Sequence, residues 1–151
     1  MSAFVIFLDF DGVLHSTGRD SELFSRVAFL WQILRARPDI EVVFSTSWRE
    51  VYQPDEMVEF VTHGGGEDLA QRFLGRTLSI KVEGPCDRRD LEIQRWLDVN
   101  EYSGPWLAID DMPELFNGGH PNLYVVDGET GLTDADVLAL TRRIIEAAHF
   151  E

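Results

Sequence analysis

Two pairs of carboxylates close two apolar runs in this chain: Asp9 and Asp11 in FVIFLDFDGVLH (Phe4 to His15), and Asp110 and Asp111 in PWLAIDD. Carboxylates brought close together repel unless a cation holds them or a proton is shared. Their ligands are oxygen only, with no nearby cluster of His or Cys, which favours Mg²⁺ over zinc. A Mg²⁺ held by a few carboxylates keeps positions open for water and for a substrate phosphate. Within the first pair the spacing matters, because residues i and i+2 of an extended chain point to the same side. Asp9 and Asp11 are therefore expected to reach one phosphoryl group. Asp9 is then the nucleophile, forming an aspartyl phosphate. Asp11 protonates the leaving oxygen and later activates water, work worth about 10² to 10⁴ in rate. Gly12 permits a tight backbone approach just where the chain leaves the strand.

The elements that must position these acids follow from the hydrophobic pattern. Phe4 to Leu8 is apolar without interruption, as a strand buried on both faces of a parallel sheet is. Leu23, Val27, Leu30, Trp31 and Leu34 fall at helical spacing in a segment that ends at Pro38. IEVVFSTS (Ile40 to Ser47) is a second strand, and DEMVEFVTHGGGEDLAQRFLG reads as helix, glycine break, helix. TLSIKV (Thr77 to Val82) is expected as the third strand, DRRDLEIQRWLDVN as a helix, PWLAIDD and NLYVVD as the fourth and fifth strands. Thr133 is a candidate N-cap for a last helix with Val137, Leu140 and Ile144 in one stripe. The order is βαβαβαββα, which predicts a three-layer α/β/α fold around a parallel sheet. Ligands of such sheets sit at the carboxyl ends of the strands. Asp9, Ser45 and Asp110 each stand at such an end.

The bulk composition narrows the function. With 151 residues a single domain spanning 1–151 is expected, and 44% hydrophobic with 26% charged residues is ordinary for a globular chain. The lone cysteine, Cys86, cannot form an internal disulfide, which suits a reducing compartment. No basic leader and no run of roughly 20 apolar residues is present, so the expectation is a soluble cytoplasmic protein with no membrane partner. The formal net charge of −14 sets an average field that repels polyanions, which disfavours nucleic acid as a partner.

Taken together, these residues resemble the haloacid dehalogenase (HAD) superfamily. DFDGV matches its phosphatase motif D-x-D-G-[TV], and the chain then supplies, in the superfamily's order, a Ser or Thr after strand two, a basic residue, and acids after strand four. The resemblance implies a Rossmann-like HAD fold. It also implies phosphate-oxygen binding by Ser45, with Thr46 as a rival in the run Ser45-Thr46-Ser47. The basic residue would be Lys81, Arg88 or Arg89; Arg89, just before EIQRWL, fits best and Arg88 is second. The metal would be held by Asp9, Asp110 and the backbone carbonyl of Asp11, with Asp111 acting through water. Asp11 further argues for phosphate over halide chemistry, since halide leaves without a proton.

STSWR, LGRTL, R-x-x-E-I-x-x-W-L, IDD and TGLT together resemble a small branch of the superfamily, the HAD-type domain of multi-enzyme RNA repair proteins. In that branch the turn usually reads more like S-S-S-W-R; Arg49 here would touch substrate phosphate, pair with a site carboxylate, or stack on Trp48. There is no room for a large cap between Leu14 and the first helix or between Glu50 and Val82, so an open site is expected. Such a site suits large or macromolecular phosphoesters, nucleic-acid ends among them. The triple glycine in THGGGED is not a phosphate loop, because no strand leads into it. The four histidines carry little signal: His15 stands just past the first motif, His120 in a turn-like NGGHPN, and His63 and His149 read as solvent-facing.

The expectation is a Mg²⁺-dependent phosphomonoester phosphatase acting on a phosphorylated substrate. The alternative is a non-catalytic phosphate-sensing module related to receiver domains, which also gather acids, a Ser or Thr and a Lys on a parallel sheet. There, however, the acid pair precedes the phosphorylated Asp, the reverse of the order here.

Overall fold

A computed structural model of the chain describes residues 4–18, 21–80, 88–116 and 120–148. The elements are β1 (Phe4–Leu8), α1 (Val27–Ala36), β2 (Ile40–Phe44), α2 (Pro54–Thr62), β3 (Phe73–Arg76), α3 (Arg89–Val99), β4 (Trp106–Asp110), β5 (Leu123–Val125) and α4 (Asp134–Ala148). All strand pairs are parallel, in the order β3-β2-β1-β4-β5. The expected alternation and the α/β/α layering are thus present.

β1 lies at the centre, and all five of its side chains are fully buried. Its alternation divides the core in two. Phe4, Ile6 and Leu8 pack with Ile40, Val42, Phe44, Leu107 and Ile109 against apolar residues of α1, α2 and α4. Val5 and Phe7 face the other way, with Val43 and Ala108, onto Ile93 and Leu97 of α3. A strand with no polar face has nowhere to go but the middle of a sheet covered on both sides. The chain builds outward from it, first to β2 and β3 on one side and then to β4 and β5 on the other. That reversal sets the crevice at the carboxyl end of β1.

Two differences from the sequence expectation are informative. The third strand is Phe73–Arg76 where Thr77–Val82 is expected: residues 77–80 are not strand, and Lys81 and Val82 lie outside the described residues. Pairing with β2 decides this: Val42 pairs with Phe73, and after a bulge Val43 pairs with Gly75 and Phe44 with Arg76. Local pattern cannot see that register, and a glycine within the run argues against a strand. The second helix of the glycine-broken segment is a 3₁₀ stretch, Glu67–Arg72, and not an α-helix. The glycines before it make room for Trp31, whose indole nitrogen donates to the Val61 carbonyl at 2.8 Å. A Cβ on Gly66 would stand 2.4 Å from that nitrogen. Among the described residues no helix is long and apolar enough to cross a membrane.

The turn after β2 is tied to the rest by Arg49. This buried side chain donates to Glu92 of α3 at 2.7 Å, to the Thr77 hydroxyl at 3.0 Å and to the Ser79 hydroxyl at 3.1 Å. Its role is to fasten the segment that follows β2 to α3 and to the chain beyond β3. Both groups are almost fully buried, so removal of either charge leaves the other poorly compensated, Arg49 with the exposed Glu50 at 3.7 Å and Glu92 with the Ile80 amide at 3.0 Å. Glu92→Gln and Arg49→Met should each destabilise the fold by roughly 3–5 kcal/mol in urea unfolding. The double variant should lose clearly less than the sum of the two, because no unmatched charge is left behind.

Candidate active site

Backbone pairing brings the acids together. Leu8 of β1 pairs with Ile109 of β4, and one step further along the Asp9 amide donates to the Ile109 carbonyl at 3.1 Å. Asp9 and Asp110 therefore emerge side by side. Both are almost fully buried, while Asp111 is half-buried. One carboxylate oxygen each from Asp9, Asp110 and Asp111 lie within 4.8 Å of one another. The backbone leaves space for this crowding. Gly12 adopts φ +77°, and a Cβ there would stand 2.2 Å from Asp111 Oδ2. Gly128 approaches the same oxygen, where a Cβ would stand at 2.7 Å.

Arg89 supplies the opposing charge. It is the first residue of α3 and is buried, and its Nη1 lies 2.9 Å from Asp9 Oδ2 and 2.6 Å from Asp110 Oδ2. Asp9 continues the face of β1 that looks toward α3, which is why a residue of α3 reaches it. Arg88, one position earlier, turns elsewhere: its guanidinium holds Asp90 at 2.8 and 3.1 Å. Arg88 precedes the helix with extended backbone, whereas Arg89 opens it, so the two side chains leave the chain in different directions. Lys81, the third basic candidate, lies outside the described residues.

The electrostatics follow from this crowding. Burial pushes the Asp9 carboxyl well above the usual aspartate range, the Asp110 charge adds to the rise, and Arg89 opposes it. Asp111 is also raised, first by burial and then by Asp110, against a hydrogen bond with Asp9. For Arg89, burial works against the charged form, but the Asp9 and Asp110 carboxylates outweigh it and raise its pKa further.

The hydroxyls after β2 divide cleanly. The Ser45 amide donates to the Leu8 carbonyl at 2.8 Å, which extends the β1–β2 ladder and places Ser45 beside Asp9. The Ser45 Oγ is buried with no hydrogen-bond partner among the described residues. Thr46 is committed to local structure: its Oγ1 accepts from the Trp48 amide at 3.3 Å and caps the 3₁₀ turn Ser47–Glu50. A buried hydroxyl without a partner is costly unless a ligand or water satisfies it.

Asp11 does not join the carboxylate cluster with its side chain. β1 ends at Leu8, before both acids, so extended-strand geometry does not govern the pair. The amides of Val13 and Leu14 both turn back onto the Phe10 carbonyl. The Asp11 carboxylate is instead 52% exposed and bonded to His15 and Trp48. The sequence assigns neither residue a role, although Trp48 belongs to the STSWR turn. The sequence signal for His15 is its place just past the first motif, and for Trp48 its place in STSWR beside Arg49. Arg49 itself meets Glu92, Thr77 and Ser79, not the carboxylates of the cluster.

The oxygen-only donor set of Asp9, Asp110 and Asp111 fits Mg²⁺. An acid whose pKa is raised by folding stabilises the fold only while it keeps its proton. The Asp9 contribution is full below about pH 3.9, the ordinary aspartate value, and is lost as pH rises through the elevated folded value. In chelator, Asp9→Asn should therefore gain stability over the parent chain at about pH 8 and gain nothing near pH 4, as read by urea unfolding. Mg²⁺ should also raise the parent's unfolding midpoint more at the higher pH, because the ligands must lose protons to bind it.

Residues 5–137 match the family model described as the HAD domain in Swiss Army Knife RNA repair proteins. No curated protein and no solved structure matches the chain. With the match covering most of the chain, and the acids, the arginine and the serine converging at the carboxyl edge of a parallel sheet, the protein belongs to the family of HAD domains found in Swiss Army Knife RNA repair proteins.

Proposed function

We propose that this protein is a Mg²⁺-dependent phosphomonoester phosphatase that works through phosphorylation of Asp9. The family supports a phosphatase-like hydrolase in general. The observation that carries the finer reading is the convergence of Asp9, Asp110 and Asp111 within 4.8 Å, with Arg89 bridging two of them. Asp9, Asp110, Asp111 and the Asp11 backbone carbonyl would hold the metal. When bound, Mg²⁺ supplies positive charge that screens the carboxylates from the phosphoryl oxygens.

The chain's own residues divide the remaining work. The Asp9 carboxylate attacks phosphorus, the bond to the ester oxygen breaks, and that oxygen leaves with the electron pair and takes the proton of Asp11. Asp11 then removes a proton from water, whose oxygen attacks the same phosphorus and releases Asp9 and inorganic phosphate. Arg89 offsets charge on the phosphoryl group as it offsets the acids. The Ser45 hydroxyl, buried and without a described partner, donates to a phosphoryl oxygen. The single domain carries no large cap in this reading: the described residues between β1 and α1 form no helix or strand of their own. The site is then open enough for a large phosphoester, and the family's description suggests a nucleic-acid end. The net charge of −14 opposes that choice, so binding would rest on local contacts.

With Mg²⁺, the purified protein should turn over 4-nitrophenyl phosphate. Asp9→Asn should cut kcat by at least about 1,000-fold, and chelator should abolish turnover. Turnover that survives Asp9→Asn would overturn the mechanism, and a stable stoichiometric phosphoprotein without turnover would identify a sensing module. A nucleic-acid role predicts that 3′- or 5′-phosphorylated oligonucleotides exceed small esters in kcat/KM, with log kcat/KM falling as log salt rises. Absence of that salt dependence removes nucleic acid as the substrate.

A further inference from the structure

Asp11 is held by a small apparatus that the phosphatase reading does not use. His15 Nε2 lies 2.8 Å from Asp11 Oδ1. The Trp48 indole N–H is shared between Oδ1 at 3.2 Å and Oδ2 at 3.1 Å. The histidine tautomer is fixed from behind. Its Nδ1 accepts from the Phe24 amide at 3.2 Å, and an amide only donates, so the neutral ring carries its proton on Nε2 and gives it to Asp11. Phe24 reaches that position with φ +60°, a left-handed conformation that disfavours bulky residues.

Trp48 is held as firmly. Its amide is capped by Thr46, and Phe10, Phe24, Tyr52 and Phe60 surround its ring with centroids 5.3 to 6.0 Å away. His15 is itself buried against Phe24. Two rigid donors thus grip a carboxylate that is otherwise half-exposed, on a residue whose backbone has already left the sheet. Oδ1 takes the His15 donor and half of the indole; Oδ2 takes the other half alone. Oδ2 is therefore the oxygen with room for a proton and a partner.

We infer that His15 and Trp48 are positioning residues that orient Asp11 so that Oδ2 presents its proton to the leaving-group oxygen. This rests on the phosphatase reading above. A general acid is worth most where the leaving group is poor, and its value depends on orientation. 4-Nitrophenolate departs without a proton, whereas the alkoxide of a simple alkyl phosphate needs one. Because kcat/KM covers steps only through departure of the leaving group, it isolates this role from the later activation of water.

The experiment measures kcat/KM with Mg²⁺ for 4-nitrophenyl phosphate and for glycerol 2-phosphate, in the parent chain, Trp48→Phe, His15→Ala and His15→Gln. Trp48→Phe keeps an aromatic ring among Phe10, Phe24, Tyr52 and Phe60 and loses the five-membered ring that carries the N–H; the ratio of the two esters, which a packing defect alone would not move, reads the lost donor. The substitution should shift the ratio of the two kcat/KM values about tenfold against the alkyl ester. His15→Ala should shift the ratio in the same direction. His15→Gln, whose amide nitrogen reaches the place of Nε2, should restore most of it. Equal losses on both esters, or no loss on either, would overturn the inference while leaving the phosphatase reading intact. Failure of the parent chain to hydrolyse 4-nitrophenyl phosphate would overturn both. Should His15→Ala not fold, Trp48→Phe decides alone.

Discussion

Three carboxylates gathered at the end of a buried sheet are an electrostatic burden, and the arrangement around them follows from the need to offset it. Asp9 and Asp110 are both almost wholly removed from water. Unpaired, either charge there is costly, and the raised Asp9 pKa is the sign of that cost. Arg89 answers it by bridging both with one nitrogen, at 2.9 and 2.6 Å. A single arginine cannot balance three acids, however, and the remaining negative charge is the feature that suits the site to a divalent cation.

Rigidity comes from β1. Because every side chain of that strand is buried, its end cannot shift without disturbing both halves of the core. The ladders to β2 and β4 run one residue beyond the strand, through the Asp9 and Ser45 amides. Asp9, Ser45 and Asp110 are thereby set by main-chain hydrogen bonds of the sheet. Arg49, paired with Glu92 behind the turn, braces the segment that carries Ser45 and Trp48. The division is clear: main chain holds Asp9, and side chains hold Asp11.

Much of the fold was readable because its signals are local. The uninterrupted run Phe4–Leu8 reads as a central strand on composition alone, and helical spacing marked α1, α3 and α4 within a few residues. β3 was misplaced, since Gly75 weakens the strand pattern and only the register with Val42–Phe44 selects Phe73–Arg76. The segment after the triple glycine is 3₁₀, and the glycines themselves are explained by Trp31, far away in sequence, which packs against Gly65 and Gly66. Among candidate site residues, the sequence ranked Arg89 just ahead of Arg88, and the structure shows Arg89 on the acids and Arg88 on Asp90. Thr46 was separable from Ser45 only once its hydroxyl was seen capping the turn.

The sequence by itself determined the chemistry of the donor set, the order of the elements and the family, because residue type, spacing and hydrophobic period are properties of the chain. It also determined that the acids follow apolar strands and so stand at a sheet's carboxyl edge. Only the tertiary structure decided which cation meets the acids, which hydroxyl is left without a partner, and that Asp11 is gripped by His15 and Trp48 apart from its neighbour Asp9. Those outcomes depend on residues brought together across 37 positions of sequence, in the case of Trp48 and Asp11. Local spacing carries no information about such encounters; strand register and helix direction create them.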